Sequence, residues 1–287
     1  MMELMLPALV ASLVLVGLHA YLGIHIIARG VIFVDLALAQ TAAMGWALAG
    51  LGLADYLSEL GGITPDLAAY LIGLASTLLT AALFSVTRME RTRIPQEAII
   101  GIVYVVSSAV TILLAAQAPR GSEHVQQLLT GSLLWVTWPE IWRTAAVYVV
   151  LGAAHWFLRK RFLTISLEPE RAAALGWRTP GWDFVFYALF GIMVTSSVAI
   201  AGVLVVFSFL VIPAVIAFLF TTRPASLLAL AWISGTVATV VGLYASYRTD
   251  LPTGPMVVCA FAAALLLAFG IRRITRSRLA AASTTMC

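Results

Sequence analysis

Long stretches without a charged residue recur along the whole chain, and no other feature limits its fold so strongly. A helix that crosses a bilayer needs about 20 predominantly apolar residues, because nothing in the hydrocarbon can satisfy backbone N–H and C=O groups. Residues 4–28, 31–54, 67–87 and 98–116 meet that length, and 141–158, 184–201, 203–220, 225–247 and 256–271 meet it less evenly. The apolar run 128–136 is too short to cross and reads as re-entrant or as a buried preamble to the next helix. Only Gly202 separates the sixth and seventh runs, and Pro213 interrupts the seventh, so those two form either separate spans or one broken helix. The expected fold is therefore an all-α, polytopic transmembrane bundle of eight or nine spans, one of them broken or re-entrant.

Composition closes the alternatives. With 62% hydrophobic and 10% charged residues, a water-soluble fold has too little polar surface to cover its apolar mass. The longest polar stretch, 159–183, is too short to bury a core of its own, which predicts one membrane domain over 1–287. No basic flank precedes the first apolar run, so it is expected to be retained as a helix rather than cleaved as a signal. Cys259 and Cys287 form neither a disulfide framework nor a metal-ligand spacing. A formal charge of +4 raises nucleic acid as a partner, but the basic residues sit at the ends of apolar runs and report topology instead. With nine crossings and the N-terminus outside, the inner side collects fourteen Lys and Arg residues, Arg29 and Arg272 among them. Arg120, Arg143 and Arg248 alone lie outside. That bias predicts a plasma (inner) membrane protein whose C-terminus is cytoplasmic.

Ionisable groups inside a membrane are costly and usually face a pathway or a partner. Asp35 and Gln40 fall in the second run, His19 and His25 in the first, and His155 in the fifth. The face of Asp35 continues through Ala39, Ala42 and Gly45, a strip of small residues that a neighbouring helix or a solute can approach. Asp35 also lies six residues after Arg29, where it could instead be hydrated at the cytoplasmic edge or favour the start of its helix. His19 and His155 read either as ligands or as hydrogen-bonded histidines of the bundle. Between the fifth and sixth runs, 166–176 has the pattern of a short capped helix, with Pro169 in the first turn, Glu168 and Glu170 at its positive end and Gly176 as the stop. Such a helix serves as a docking element or as a plain linker. The chain has no Gly-rich loop ending in Lys and Ser or Thr, and no nucleophile with a base or HExxH run, so it is not expected to bind ATP or to be an enzyme.

Six ordered segments resemble the permeases of zinc, manganese and iron ABC importers over almost the full length. They are Gly23-Ile-His-Ile-Ile-Ala-Arg29 leading to Phe33, Glu97-Ala-Ile-Ile-Gly101, and Leu129-Thr-Gly131 running on to Thr137. Ile165 to Ala172 with Gly176, Gly202 to Ala214 around Pro213, and Asp250-Leu-Pro-Thr-Gly254-Pro255 complete the set. The resemblance implies a homodimeric permease that moves a divalent transition metal by alternating access. ATP would be hydrolysed by two separate ABC ATPase subunits, and cargo delivered by an extracytoplasmic solute-binding protein. It implies no cofactor on this chain, no nucleic acid, and lipid as the surrounding partner. It places coupling at Glu168, Pro169, Glu170 and Arg171, and the substrate pathway at Asp35, Gln40 and His19, with Asp35 and Gln40 as metal contacts. The chain departs from the family at one point. The family's aspartate and histidine, four residues apart in the second span, fall here on Leu36 and Gln40, and the carboxylate stands one place earlier at Asp35. A one-residue shift turns a side chain about 100° round the helix, so Asp35 and Gln40 are not expected on one face. The rival reading is a secondary transporter driven by an ion gradient through Asp35 and the histidines.

Overall fold

A computed structural model of the chain describes residues 2–87, 94–117, 131, 133–177 and 179–284, with side chains placed from 5 to 275 within those ranges. Every regular element among them is helical. In chain order these are α1 (Met2–Arg29), α2 (Val34–Leu48), α3 (Ala54–Gly61), α4 (Pro65–Thr87), α5 (Gln96–Ala115), α6 (Trp138–Leu167), α7 (Pro169–Ala174), α8 (Thr179–Phe220), α9 (Pro224–Thr249) and α10 (Thr253–Thr284). Among the described residues, 8 helices are long and apolar enough to cross a membrane, with α2 and α3 counted as one.

The uncertainty between eight and nine spans has a physical origin in α8. Its 42 residues would extend about 63 Å at 1.5 Å per residue, roughly twice a bilayer's hydrocarbon core. It is not one straight rod. Gly202 takes φ 75°, ψ 161°, a backbone conformation essentially closed to residues with a Cβ, and breaks α8 into 179–201 and 203–220. Gly131, also at positive φ, packs directly on the backbone of Ala201 and Gly202 at this break.

The second expected span is interrupted as well. A π-helical turn over Ala49–Leu53, with Leu51 and Gly52 off the helical region, separates α2 from the amphipathic α3. Of the expected re-entrant run 128–136, residues 128–130 and 132 lie outside the described residues. Leu133–Trp135 form a single 3₁₀ turn with Leu133 buried, which leads into α6. There Thr137 and Glu140 close a capping box, the Glu140 carboxylate accepting from the Thr137 N–H at 2.8 Å.

α8 is the hub, packed by α1, α2, α4, α6, α9 and α10, with Phe186, Phe190 and Phe209 fully buried. Small residues let helices approach closely, as the sequence predicts for α2. A Cβ on Gly45 would come within 2.7 Å of Gly73 Cα on α4. A Cβ on Gly23 of α1 would overlap the Leu210 carbonyl oxygen. Large apolar side chains such as Leu79, Val105, Phe157 and Leu266 point outward and are exposed, as a lipid-facing surface requires.

Candidate transport pathway and coupling element

Asp35 occupies the first turn of α2 and is completely buried, and neither carboxylate oxygen has a hydrogen-bond partner. The alternative of a hydrated aspartate at the membrane edge is therefore not the arrangement found. A buried carboxylate without a partner is costly, and a site that keeps one holds it for an occupant or for a passing charge.

Its surroundings include a second residue of the sequence reading. Asp35 lies in electrostatic range of the Tyr148 hydroxyl on α6, which neighbours Ser197 on α8. The same hydroxyl is 3.5 Å from His19 Nδ1. His19 is fully buried on α1, and its Nδ1–H donates to the Leu15 carbonyl at 2.7 Å. That bond fixes the tautomer and leaves the Nε2 lone pair without a partner. His19 of α1 thus meets the Tyr148 hydroxyl of α6, and the Asp35 charge of α2 acts on the same group from a distance. Gln40, also buried, is five residues along α2 from Asp35, about 140° round the helix, so the two do not share a face. Among the described residues no group of three or more His, Cys, Asp or Glu is placed to hold a metal ion.

A cavity of about 880 Å³ opens near this cluster, at the end of the bundle opposite Arg29. Trp46, Tyr70, Arg143, Thr144, Ser196 and Ile200 line it, with Asp55 and Asp66 at its edge. Thr144 is one turn from Tyr148 on α6, and Ser196 adjoins Ser197 on α8. The cavity walls therefore continue into the elements that carry the Asp35 and His19 cluster.

At the Arg29 end a second buried polar group ties three helices together. Arg29 pairs with Asp183 on α8 at 2.7 Å, with the two side chains 0% and 1% exposed, and its guanidinium lies 3.9 Å from the centroid of the Phe186 ring. Its Nε–H donates to Ser166 Oγ at 2.7 Å, and the same hydroxyl is 2.9 Å from His25 Nδ1. His155 is buried among Tyr21, Phe162 and Phe186 with both ring nitrogens unpaired. It is thus not the hydrogen-bonded bundle histidine that one reading of the sequence offered.

The short helix forms with a later start than the pattern suggests. Ser166 belongs to the last turn of α6 and is buried, while α7 begins at Pro169. Gly176 takes φ 69°, and Trp177 N–H to the Ala172 carbonyl with Gly176 N–H to the Ala173 carbonyl close a Schellman stop. Arg171 donates to Glu168 at 2.8 Å, and that bond raises the Arg171 pKa. Both side chains are more than half exposed, Glu170 is exposed too, and the buried Ala172 anchors the helix. α7 presents charge outward from an otherwise apolar molecule.

Sequence reasoning missed Tyr148, Ser197, Ser166 and Asp183. Tyr148 could have been found, since it precedes His155 by seven residues and so shares its face of α6. Ser197, Ser166 and Asp183 carry no such periodic signal. They acquire meaning only when α1, α6 and α8 pack.

A bundle of apolar helices with buried ionisable groups beneath an open cavity, and a charged helix at the other end, defines a multi-pass membrane permease. The chain belongs to the ABC 3 transport family, which it matches over residues 1–272. It is 26% identical over 200 residues to the manganese transport system membrane protein MntC of Listeria monocytogenes, spanning 70% of this chain and 71% of that one. It is 24% identical over 267 residues to a "Probable iron transport system membrane protein" of Haemophilus influenzae, spanning 93% and 89%. It shares its fold with PsaBC from Streptococcus pneumoniae, solved in complex with Fab, at a TM-score of 0.72 and 23% identity over 92% of this chain and 90% of that one.

Proposed function

We propose that this permease imports a divalent transition-metal ion, as the membrane half of an ATP-driven transporter in the plasma membrane. One observation carries the reading. The buried Asp35 carboxylate, without a partner, acts electrostatically on the Tyr148 hydroxyl, which lies 3.5 Å from Nδ1 of the His19 imidazole with its open Nε2. Carboxylate, hydroxyl and imidazole are donors suited to manganese or iron. The manganese and iron transport named for the relatives above supports the same choice. The replacement of the family's histidine by Gln40 argues against zinc as the preferred cargo. Few ligands suit a waypoint, because an ion held by a complete coordination shell would leave slowly.

The cavity edged by Asp55 and Asp66 would receive the ion from an extracytoplasmic binding protein. α7 would dock one ATPase subunit on each protomer of a homodimer through Glu168, Pro169, Glu170 and Arg171, with ATP hydrolysed entirely by those partners. The first half of α8 runs from Asp183 beside Arg29 to Ile200 at the cavity, so it crosses by itself. A return by 203–220 makes nine crossings and brings Arg272 and Arg273 to the Arg29 side, with the C-terminus in the cytoplasm. Alternating access would then open the Asp35 and His19 cluster first to the cavity and then to the Arg29 end.

The experiment is manganese uptake by cells expressing the complete transporter with Asp35→Asn in this chain. Asparagine keeps the shape and removes the charge. Uptake is expected to fall at least tenfold with the amount of assembled complex unchanged. Uptake at the wild-type rate would refute the role of Asp35.

A further inference from the structure

We infer that Ser166 is the joint through which movement of α7 reaches the transport pathway. Ser166 stands on the last turn of α6, three residues before α7 begins, and is buried. Its hydroxyl is an acceptor for Arg29 Nε–H at 2.7 Å and is hydrogen-bonded with His25 Nδ1 at 2.9 Å. Arg29 in turn grips Asp183 near the start of α8. One small side chain therefore bridges α6 to α1, and through Arg29 to α8, at the root of the exposed helix.

The geometry beyond the joint gives it consequence. From Asp183, α8 continues as an unbroken helix for about 28 Å at its normal rise to the break at Gly202. Along that length it carries Ser197, beside Tyr148, and then Ser196 and Ile200, which line the cavity. α1 likewise runs from Arg29 and His25 to His19. A helix transmits displacement along its axis with little loss, whereas the short link from Leu167 to Pro169 alone would let α7 move without the bundle. The Ser166 bonds hold α1 directly and α8 through Arg29, so a push on α7 reaches the helix that carries His19 and the helix that carries Ser197 beside Tyr148. The polar network is also fully enclosed, so water does not compete for its bonds and they stay short.

This inference rests on α7 being the ATPase docking element, and the test separates the two. The complete transporter is reconstituted with Ser166→Ala or Ser166→Cys in this chain, and manganese ions moved per ATP hydrolysed are measured beside co-purification of the ATPase. Alanine removes both bonds, and cysteine keeps a weak donor of similar shape. With assembly and hydrolysis retained, the transport-to-hydrolysis ratio is expected to fall roughly fivefold to thirtyfold for alanine, one lost hydrogen bond or two, and by less for cysteine. Thr164→Ala, two residues away on α6 and so on a different face, with its side chain bonded only to its own helix, is expected to leave the ratio unchanged. A wild-type ratio in Ser166→Ala, or a proportional fall in hydrolysis and transport, would overturn the role of Ser166 while leaving docking intact. An ATPase that still joins the chain when the exposed face of α7 is charge-reversed, with Ser166 intact, would overturn the docking reading instead.

Discussion

Replacing Arg29 by alanine removes a guanidinium that is fully buried, paired at 2.7 Å with Asp183 and stacked on Phe186. Breaking a buried ion pair from one side leaves the other charge without compensation and costs about 3–5 kcal/mol. Asp183→Ala is expected to cost a similar amount, because the buried Arg29 would then lose its carboxylate partner. At about 1.4 kcal/mol per decade, either change lowers the folded-to-unfolded ratio roughly a hundredfold to a thousandfold or more. Neutral hydrogen bonds between membrane helices are worth only about 0.6 kcal/mol on average, so a loss of several kcal/mol marks charge rather than hydrogen bonding. The double change Arg29→Met with Asp183→Leu removes both charges and keeps the volume, and it is expected to cost less than either single change to alanine. Reversible unfolding of the purified protein in mixed detergent micelles, followed by tryptophan fluorescence, measures all three. Single variants within about 1 kcal/mol of wild type, or a double variant equal to the sum of the singles, would refute the pairing argument.

Gly23→Ala places a Cβ on the Leu210 carbonyl, and since backbone cannot rotate away, α1 and α8 must separate. The expected loss is about 1–3 kcal/mol in the same unfolding assay. Gly101→Ala, whose new Cβ meets nothing within 4 Å, should instead stabilise by up to about 1 kcal/mol. Equal behaviour of the two would contradict the close crossing. Glu170→Arg reverses an exposed charge on α7 and should weaken co-purification of the ATPase subunit roughly tenfold or more through like-charge repulsion, with the unfolding midpoint unaltered. Wild-type association would remove α7 from the interface.

Much of this arrangement was legible in the sequence because a membrane leaves few choices. Runs of apolar length had to be helices, and Gly202 between two such runs with Pro213 beyond it had to weaken one of them. Pro169 and Gly176 bracketed α7 by the same local rules that act in water, although the pattern placed its start three residues early. Ser166 fell within that stretch in the sequence, yet it belongs to the last turn of α6, where it bonds with His25 and Arg29. Asp35 was visible as an oddity but not as a fully buried group, since depth depends on where α2, α6 and α8 meet. The alliance of Arg29 with Asp183 joins residues 154 apart in sequence, a pairing that no periodicity reports.

The account depends on energy entering from a nucleotide-hydrolysing partner. It is tested most directly by manganese accumulation in sealed vesicles containing this chain, its ATPase subunit and its binding protein. Accumulation is predicted to require ATP inside the nucleotide-accessible compartment and to persist when ionophores abolish proton and sodium gradients. Uptake by the chain alone that collapses with those gradients would identify a secondary transporter and contradict the account.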